Sequence, residues 1–177
     1  FFEGDFGELF PALDPDDKHG HDIGFTIGRK NISLQDGMLI NDDIDAIGLS
    51  KINFKTPHIG NWRSAVVFGF NELNRNNRSD KDGQALLWGW FNELDLPKST
   101  VALDAIYVPA DDETGKGGYS GLSAIQRLGR YNTTFRVLGS APIEERTSHN
   151  KAGVLLFTEL SWTLTGTANH IYINGFK

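Results

Sequence analysis

Hydrophobic and polar residues alternate along most of the chain from Ile23 onward. Val101, Leu103 and Tyr107 share one parity, whereas Asp104 has the other, and similar alternation follows Val154. A period of two residues is typical of β-strands with one apolar and one polar face. Helical patterns are weak, because no segment sustains a 3.6-residue apolar stripe. We predict strands at about residues 23–34, 43–56, 62–71, 84–95, 100–109, 121–129, 131–141, 153–165 and 170–176.

The connections between these predicted strands alternate in length. Long polar connections fall near residues 35–42, 71–83, 109–120 and 142–152, and short ones near 57–61, 96–99, 129–131 and 166–169. Transmembrane β-barrels have short turns at one rim and long loops at the other. The predicted strands also approach the ~9–11 tilted residues that cross a bilayer, whereas soluble strands average about 5–6. Several aromatic residues stand near predicted strand ends, as in the aromatic girdles of such barrels.

Composition excludes several classes of protein. The chain has 177 residues, a formal net charge of −6 and no cysteine. A disulfide scaffold and a cysteine–zinc site are therefore excluded. The acidic balance argues against a nucleic-acid partner, since no basic stripe is present to contact phosphates. The average polarity suits either a soluble protein or a β-barrel whose lipid-facing and lumen-facing residues alternate.

Two stretches carry a resemblance to known proteins. One runs from Phe25-Thr26-Ile27-Gly28-Arg29-Lys30 through Asp36-Gly37 to Asp42-Asp43, and the other comprises residues 155–163 and 171–176. They resemble strands of Gram-negative outer-membrane porins, in particular alginate-export-type barrels and related outer-membrane proteins. The resemblance implies passive passage of small polar solutes through a polar lumen in the outer membrane, without enzymatic activity or cofactor. It also implies larger barrels, with roughly twice as many strands.

The fold predicted from these observations is an all-β, antiparallel up-and-down transmembrane β-barrel. We assign strands to residues 23–177 and expect the lipid bilayer and small polar solutes as partners; a homo-oligomer is left open. Charges that face a lumen determine its selectivity. By alternation, the lumen-lining residues are predicted to be Lys30, Asp45, Arg63, Asp104, Arg136 and Glu159.

The N-terminal segment and the predicted strand 84–95 raise a separate expectation. Residues 1–22 are rich in Phe, Asp, Gly and Pro and predict a loop, with room for a short strand or helical turn. In 84–95, Leu86, Trp88 and Trp90 oppose Leu87 and Phe91, so both faces are apolar. A barrel must cover the inner face there, and we expect residues 1–22 as a plug. The odd strand count and the cut-looking ends lead us to expect a segment of a larger barrel.

Other chemistry receives weaker support from the sequence. Asp14–Asp22, with His19 and His21, concentrates oxygen ligands suited to a divalent cation, but lacks EF-hand order, as does 80–83. A solvated acidic loop is the favoured interpretation. Residues 118–121 lack the spacing of a nucleophile elbow, and 114–118 lack that of a P-loop. Carboxylate pairs such as Glu93 with Asp95 resemble glycosidase acids only by proximity.

A soluble alternative remains open at this point. A secreted β-sandwich that binds carbohydrate would use Trp88, Trp90 or Trp162 as stacking platforms for sugar rings. In a sandwich the apolar face of each strand points inward, whereas in a transmembrane barrel it points outward. The orientation of the two faces therefore distinguishes the two interpretations.

Overall fold

The computed structural model describes residues 2–12, 22–56, 59–74, 85–109, 116–143, 151–167 and 169–177. It is an all-β chain with one helical turn. The strands are β1 (Phe2–Asp5), β2 (Ile23–Leu34), β3 (Ile40–Thr56), β4 (Ile59–Phe70), β5 (Leu86–Leu96), β6 (Ser99–Val108), β7 (Gly117–Leu128), β8 (Tyr131–Pro142), β9 (Gly153–Thr163) and β10 (His170–Phe176), and the helical turn is α1 (Phe6–Leu9).

All nine predicted strands are confirmed, most with bounds within three residues of those expected. The largest difference is at β7, which begins at Gly117 rather than at residue 121. Gly117 and Gly118 have no side chains and so contribute nothing to the alternation. The tenth strand, β1, has only four residues and lies in the N-terminal segment, for which the sequence predicts a loop with room for a short strand or helical turn.

The ten strands form a single antiparallel sheet in chain order, from β1 to β10. Each strand pairs with the strand before and the strand after it, which is up-and-down topology. The register is regular except in β3, where it shifts between Lys51 and Phe54 and again before Thr56. Because directly opposed residues point to the same side of a sheet, this register assigns each strand residue to a face.

Most connections lie at one of two ends of the sheet according to their length. At what we call the short-connection end, β3 and β4, β5 and β6, and β7 and β8 are each separated by two residues of sequence, and β9 and β10 by six. At the opposite, long-connection end, β4 and β5 are separated by 15 residues, β6 and β7 by eight, β8 and β9 by ten, and β2 and β3 by five. The predicted alternation of short and long connections is therefore observed from β3 to β9. The five-residue β2–β3 turn is shorter than the six-residue separation of β9 and β10, so the alternation does not extend to these pairs, and the pairing of β1 with the start of β2 is a further exception.

The sheet is strongly curved. Gln35 and Asp36, in the turn between β2 and β3, bond to Asp104 in β6 and to Arg136 in β8, respectively. Neighbouring strands lie ~4.8 Å apart, so β3 and β8 would be about 24 Å apart in a flat sheet. Two side chains cannot span that distance, and the sheet must therefore bend around the turn.

The start of the chain packs on the outside of this curve. Asp5 caps α1 by accepting from the Gly7 backbone N–H at 2.7 Å. The Phe6 ring lies 4.8 Å from the Phe25 ring, on the face opposite that of the Gln35–Asp104 contact. The described part of residues 1–22 is thus a strand and a helical turn; residues 13–21 lie outside the described residues. No helix in the described ranges is long and apolar enough to cross a membrane.

A small apolar cluster fills the inside of the curve at the long-connection end. Leu87, on the inward face of β5, is one of its buried members, and Phe91, on the same face, packs against it. Leu34 and Leu39, on either side of the turn 35–39, pack against the same cluster. In the described structure the β2–β3 turn therefore covers this part of the inner face; whether residues 1–22 also plug the interior stays a prediction, because residues 13–21 lie outside the described residues. The other buried members of the apolar cluster are Ile44, Ala46, Leu73, Ala85, Ile106 and Val108.

Candidate functional site: the charged face of the sheet

Charges are confined to one face over most of the sheet. In the described strands β4 to β10, every Asp, Glu, Lys and Arg side chain has the same orientation, on the inside of the curve. We call this the charged face and the opposite one the apolar face. The residues concerned are Arg63, Glu93, Asp95, Asp104, Arg127, Arg136 and Glu159.

Five of the six residues predicted to face a lumen share this side. Arg63, Asp104, Arg136 and Glu159 are on the charged face, and Lys30 joins them through its pairing with Ile44. Asp45 does not, because it pairs with Arg29 and Phe70 on the apolar side. The prediction that Asp45 shares the face of the other five is therefore wrong. Its neighbours Ile44 and Ala46 are apolar, yet they face inward, into the apolar cluster. The inward positions of β3 are therefore the even-numbered ones here, whereas the prediction took the odd-numbered Asp45 as inward.

The apolar face exposes large hydrophobic side chains. Trp88 is 53% exposed, and Leu103 and Leu122 in the centre of the sheet are exposed by nearly half. Soluble monomers rarely expose a continuous apolar surface of this extent. Further exposed members are Ile27, Ile47, Leu49, Val66, Trp90, Phe135, Val137, Val154 and Leu156.

Aromatic rings border the apolar face at both ends. Near the short-connection end, the ring of Trp62 lies 4.8 Å from that of Phe54, and Trp162 contacts Tyr131. Near the long-connection end, Phe68 lies 4.6 Å from Trp88. Trp62 and Phe68 are six residues apart in β4, or about 20 Å along the strand. Beyond the Phe68–Trp88 ring pair, the same face becomes polar. Arg29 forms an ion pair with Glu72, and Asn71 donates a hydrogen bond to Asp45.

The β2–β3 turn lies over the charged face. Gln35 and Asp36 have positive φ angles of 53° and 55°, in the left-handed region that ordinary residues rarely adopt. Gln35 donates to Asp104 Oδ2 at 2.6 Å, and both side chains are buried. Gly121 lies directly beneath, since a Cβ there would stand 3.0 Å from Gln35 Cγ. A residue without a side chain is therefore what lets the turn sit this close to the sheet.

Arg136 anchors the other side of the turn. Only 5% of its side chain is exposed, and its guanidinium pairs with Asp36 and lies 5.4 Å from the centre of the Phe157 ring. Glu93 and Asp95, the carboxylate pair considered as acids, instead both bond to Arg63. Thr100 adds a hydroxyl donated to Asp95 at 2.9 Å. Arg63, the two carboxylates and the Thr100 hydroxyl thus form a polar network across β4, β5 and β6.

A cavity of about 440 Å³ opens between the turn and the sheet. It combines both ion-pair systems with hydroxyl groups and one aromatic ring, that of Phe91. Pockets of about 300–1,000 Å³ hold small molecules in proteins. Its polar lining includes Gln35, Asp36, Ser50, Arg63, Glu93, Asp104, Ser123 and Arg136, and its apolar lining comprises Leu34, Ile52, Ala65, Phe91, Ala102 and Ile125.

Candidate cation ligands fall largely outside the described residues. Among the residues that the structure describes, no three His, Asp or Glu side chains form a group able to hold a metal ion. The two segments considered for a divalent cation, residues 14–21 and 80–83, are not among the described residues.

Comparisons with protein-family models, with curated proteins and with solved structures found no match. The function of the chain must therefore be argued from its own faces and contacts.

Proposed function

We propose that the chain forms the wall of an outer-membrane β-barrel of the Gram-negative type, through which small polar solutes pass without energy input. The observation that carries the proposal is that charged residues in β4 to β10 are confined to one face. All seven charged side chains of these strands lie on the inside of the curve. An arginine at the bilayer midplane of a barrel's lipid face costs about 2–4 kcal/mol. In β4 to β10 the outer face carries no charge between the two aromatic borders, which suits contact with lipid; in β3, Lys51 lies on this face opposite Ser64, with its ammonium 5.3 Å from the centre of the Phe54 ring.

The backbone supports the same proposal. In lipid every backbone N–H and C=O needs a protein partner, and for strands this requires a closed sheet. The up-and-down order satisfies this condition from β2 to β9, where each strand has neighbours on both sides. β1 and β10 are the edge strands of the described sheet, and each has one edge without a neighbouring strand. The proposal therefore requires that the backbone groups on these two edges also find strand partners when the protein is in the membrane.

The route for solutes follows the polar part of the charged face. The apolar cluster narrows the inside near β3 to β6, whereas β7, β8 and β9 present Ser123, Thr134 and Ser161 to the interior. Polar groups on an inner wall replace part of the hydration of a passing solute. We expect passage along these three strands, past Arg136.

The proposal is tested by measuring whether the purified chain needs detergent to stay in solution and whether it conducts ions in a planar bilayer. We expect the purified chain to need detergent, to migrate faster on a gel before heating than after, and to give discrete conductance steps after reconstitution. Monodisperse protein in plain buffer would contradict the membrane location. Stable insertion without conductance would contradict the passage of solutes while leaving the membrane location intact.

A second candidate function is carbohydrate binding by a soluble protein. Trp88 and Trp90 lie side by side on the apolar face, where they line a groove of about 640 Å³ with Phe68 and Tyr107. The single up-and-down sheet differs, however, from the two packed sheets of a sandwich. Soluble, monodisperse protein whose tryptophan fluorescence is quenched by an oligosaccharide would favour this candidate.

A further inference from the structure

The β2–β3 turn and the charged face below it have features of a binding site. The turn has two non-glycine residues in the left-handed region, Gln35 and Asp36. Each such residue costs about 1–2 kcal/mol, and backbone strain of this kind often marks functional sites. Both residues line the cavity, and both bond across the inside of the curve.

Two buried polar atoms at this site lack partners. Gln35 Oε1 and Arg136 Nε accept or donate no hydrogen bond, although the side chains are only 8% and 5% exposed. Leaving such an atom unpaired costs about 1–3 kcal/mol. Gln35 Oε1 is an acceptor and Arg136 Nε carries a donor N–H. A hydroxyl group can donate to the first and accept from the second.

The charges of the cavity disfavour an ionic ligand. Arg63 is already paired with Glu93, and Arg136 with Asp36. An anion would have to replace one of these carboxylates and would also meet Asp104, the remaining acid of the cavity. A cation would find Asp104 buried and already bonded to Gln35. A neutral ligand with several hydroxyl groups bonds to the exposed Asp36, Glu93 and Arg63 without breaking either pair.

We propose that the cavity beneath the β2–β3 turn binds a neutral, polyhydroxylated solute, with Gln35 and Arg136 as recognition residues and the Phe91 ring as an apolar contact. Because both unpartnered atoms are buried, binding in this way requires the Gln35 side chain to move so that a solute hydroxyl reaches them. This inference deepens the proposed function, because it names the class of solute that passes.

The experiment compares three probes of one ring size: glucose, glucuronate and glucosamine, which are neutral, anionic and cationic. Binding is measured by calorimetry on protein in a sugar-free amine-oxide detergent, and block of the ion current is measured in planar bilayers. We expect glucose to bind tightest. Gln35→Leu should weaken glucose binding at least fivefold, whereas Gln126→Leu, outside the cavity, should leave it unchanged. Asp36→Asn provides a second variant, which should also weaken binding.

The outcomes separate the two proposals. Glucose binding in detergent without any conductance would support the site and contradict solute passage. Conductance without glucose binding would support the channel and overturn the site. Tighter binding of glucuronate or glucosamine, or unchanged glucose binding by both Gln35→Leu and Asp36→Asn, would also overturn the inference.

Discussion

At the scale of single residues, the face to which a side chain points matters more than its position along the chain. Ala102 and Leu103 are neighbours in β6, yet Ala102 lines the cavity and Leu103 is exposed on the apolar face. The two positions therefore provide a matched pair for testing the faces.

Introducing a charge at these two positions should have opposite consequences. We expect Leu103→Arg to destabilise the inserted protein by about 2–4 kcal/mol, because the guanidinium would enter the lipid. Ala102→Arg should insert normally, because it adds a charge to a face that already carries them. The measurement is urea unfolding in lipid vesicles. Equal stability of the two variants would contradict the assignment of faces.

Arg136 is the most deeply buried charged residue of β7, β8 and β9, the three strands of the proposed passage. We expect Arg136→Gln to favour cations over anions by about fivefold, since one unit charge acting at ~4 Å in a high-dielectric environment is worth about 1 kcal/mol. The reversal potential across a salt gradient measures this change. Arg130→Gln, in the exposed turn 129–130, is the matched control and should change it little. A variant of Arg136 with unaltered selectivity would place the ion path elsewhere.

At the scale of elements, the strands could be predicted from sequence because alternation is a local signal. β8, for example, has Thr134 and Arg136 on one face and Phe135 and Val137 on the other. β1 could be expected only as a short strand or helical turn somewhere in residues 1–22, since its four residues are too few to show a period. Asp45 was misplaced because the charged face also contains apolar residues near β3, so polarity alone does not fix the phase there.

The β2–β3 turn illustrates what local signals omit. Residues 35–39 follow a regular strand and contain Gly37, so a connection could be predicted. Its position over the charged face depends on Gly121, Asp104 and Arg136, which are distant in sequence. These contacts follow from the curvature of the whole sheet. The expectation that residues 1–22 plug the interior falls largely on residues 13–21, outside the described residues, and stays a prediction.

Replacing the turn tests its role as the cover of the inner face. We expect a chain in which Asn-Gly replaces residues 35–39 to conduct more current per channel, because Gln35 and Asp36 no longer narrow the interior. A two-residue Asn-Gly turn suits two paired antiparallel strands. Substituting Asn-Gly for residues 129–130, at the short-connection end, is the control and should leave conductance unchanged. Equal conductance of all three proteins would show that the turn does not obstruct the path.

At the scale of the whole molecule, the two faces exchange the roles that they have in a soluble protein. The buried polar residues Asp104, Ser123 and Arg136 lie inside the curve, whereas Trp90 and Leu122 lie outside it. The predicted inversion of faces is thus observed in the described sheet. The modest mean polarity of the whole sequence is therefore the average of a polar inner face and an apolar outer face.

All four tryptophans of the chain lie on the apolar face. Trp62, Trp88 and Trp90 share it in β4 and β5, and Trp162 lies on it in β9. The unmodified protein therefore reports directly on the surroundings of that face. The decisive measurement is tryptophan fluorescence after reconstitution into vesicles whose lipid acyl chains are brominated. We predict strong quenching relative to unbrominated vesicles and little quenching by aqueous iodide. Strong iodide quenching with no effect of the brominated lipids would contradict the central claim that the apolar face contacts the bilayer.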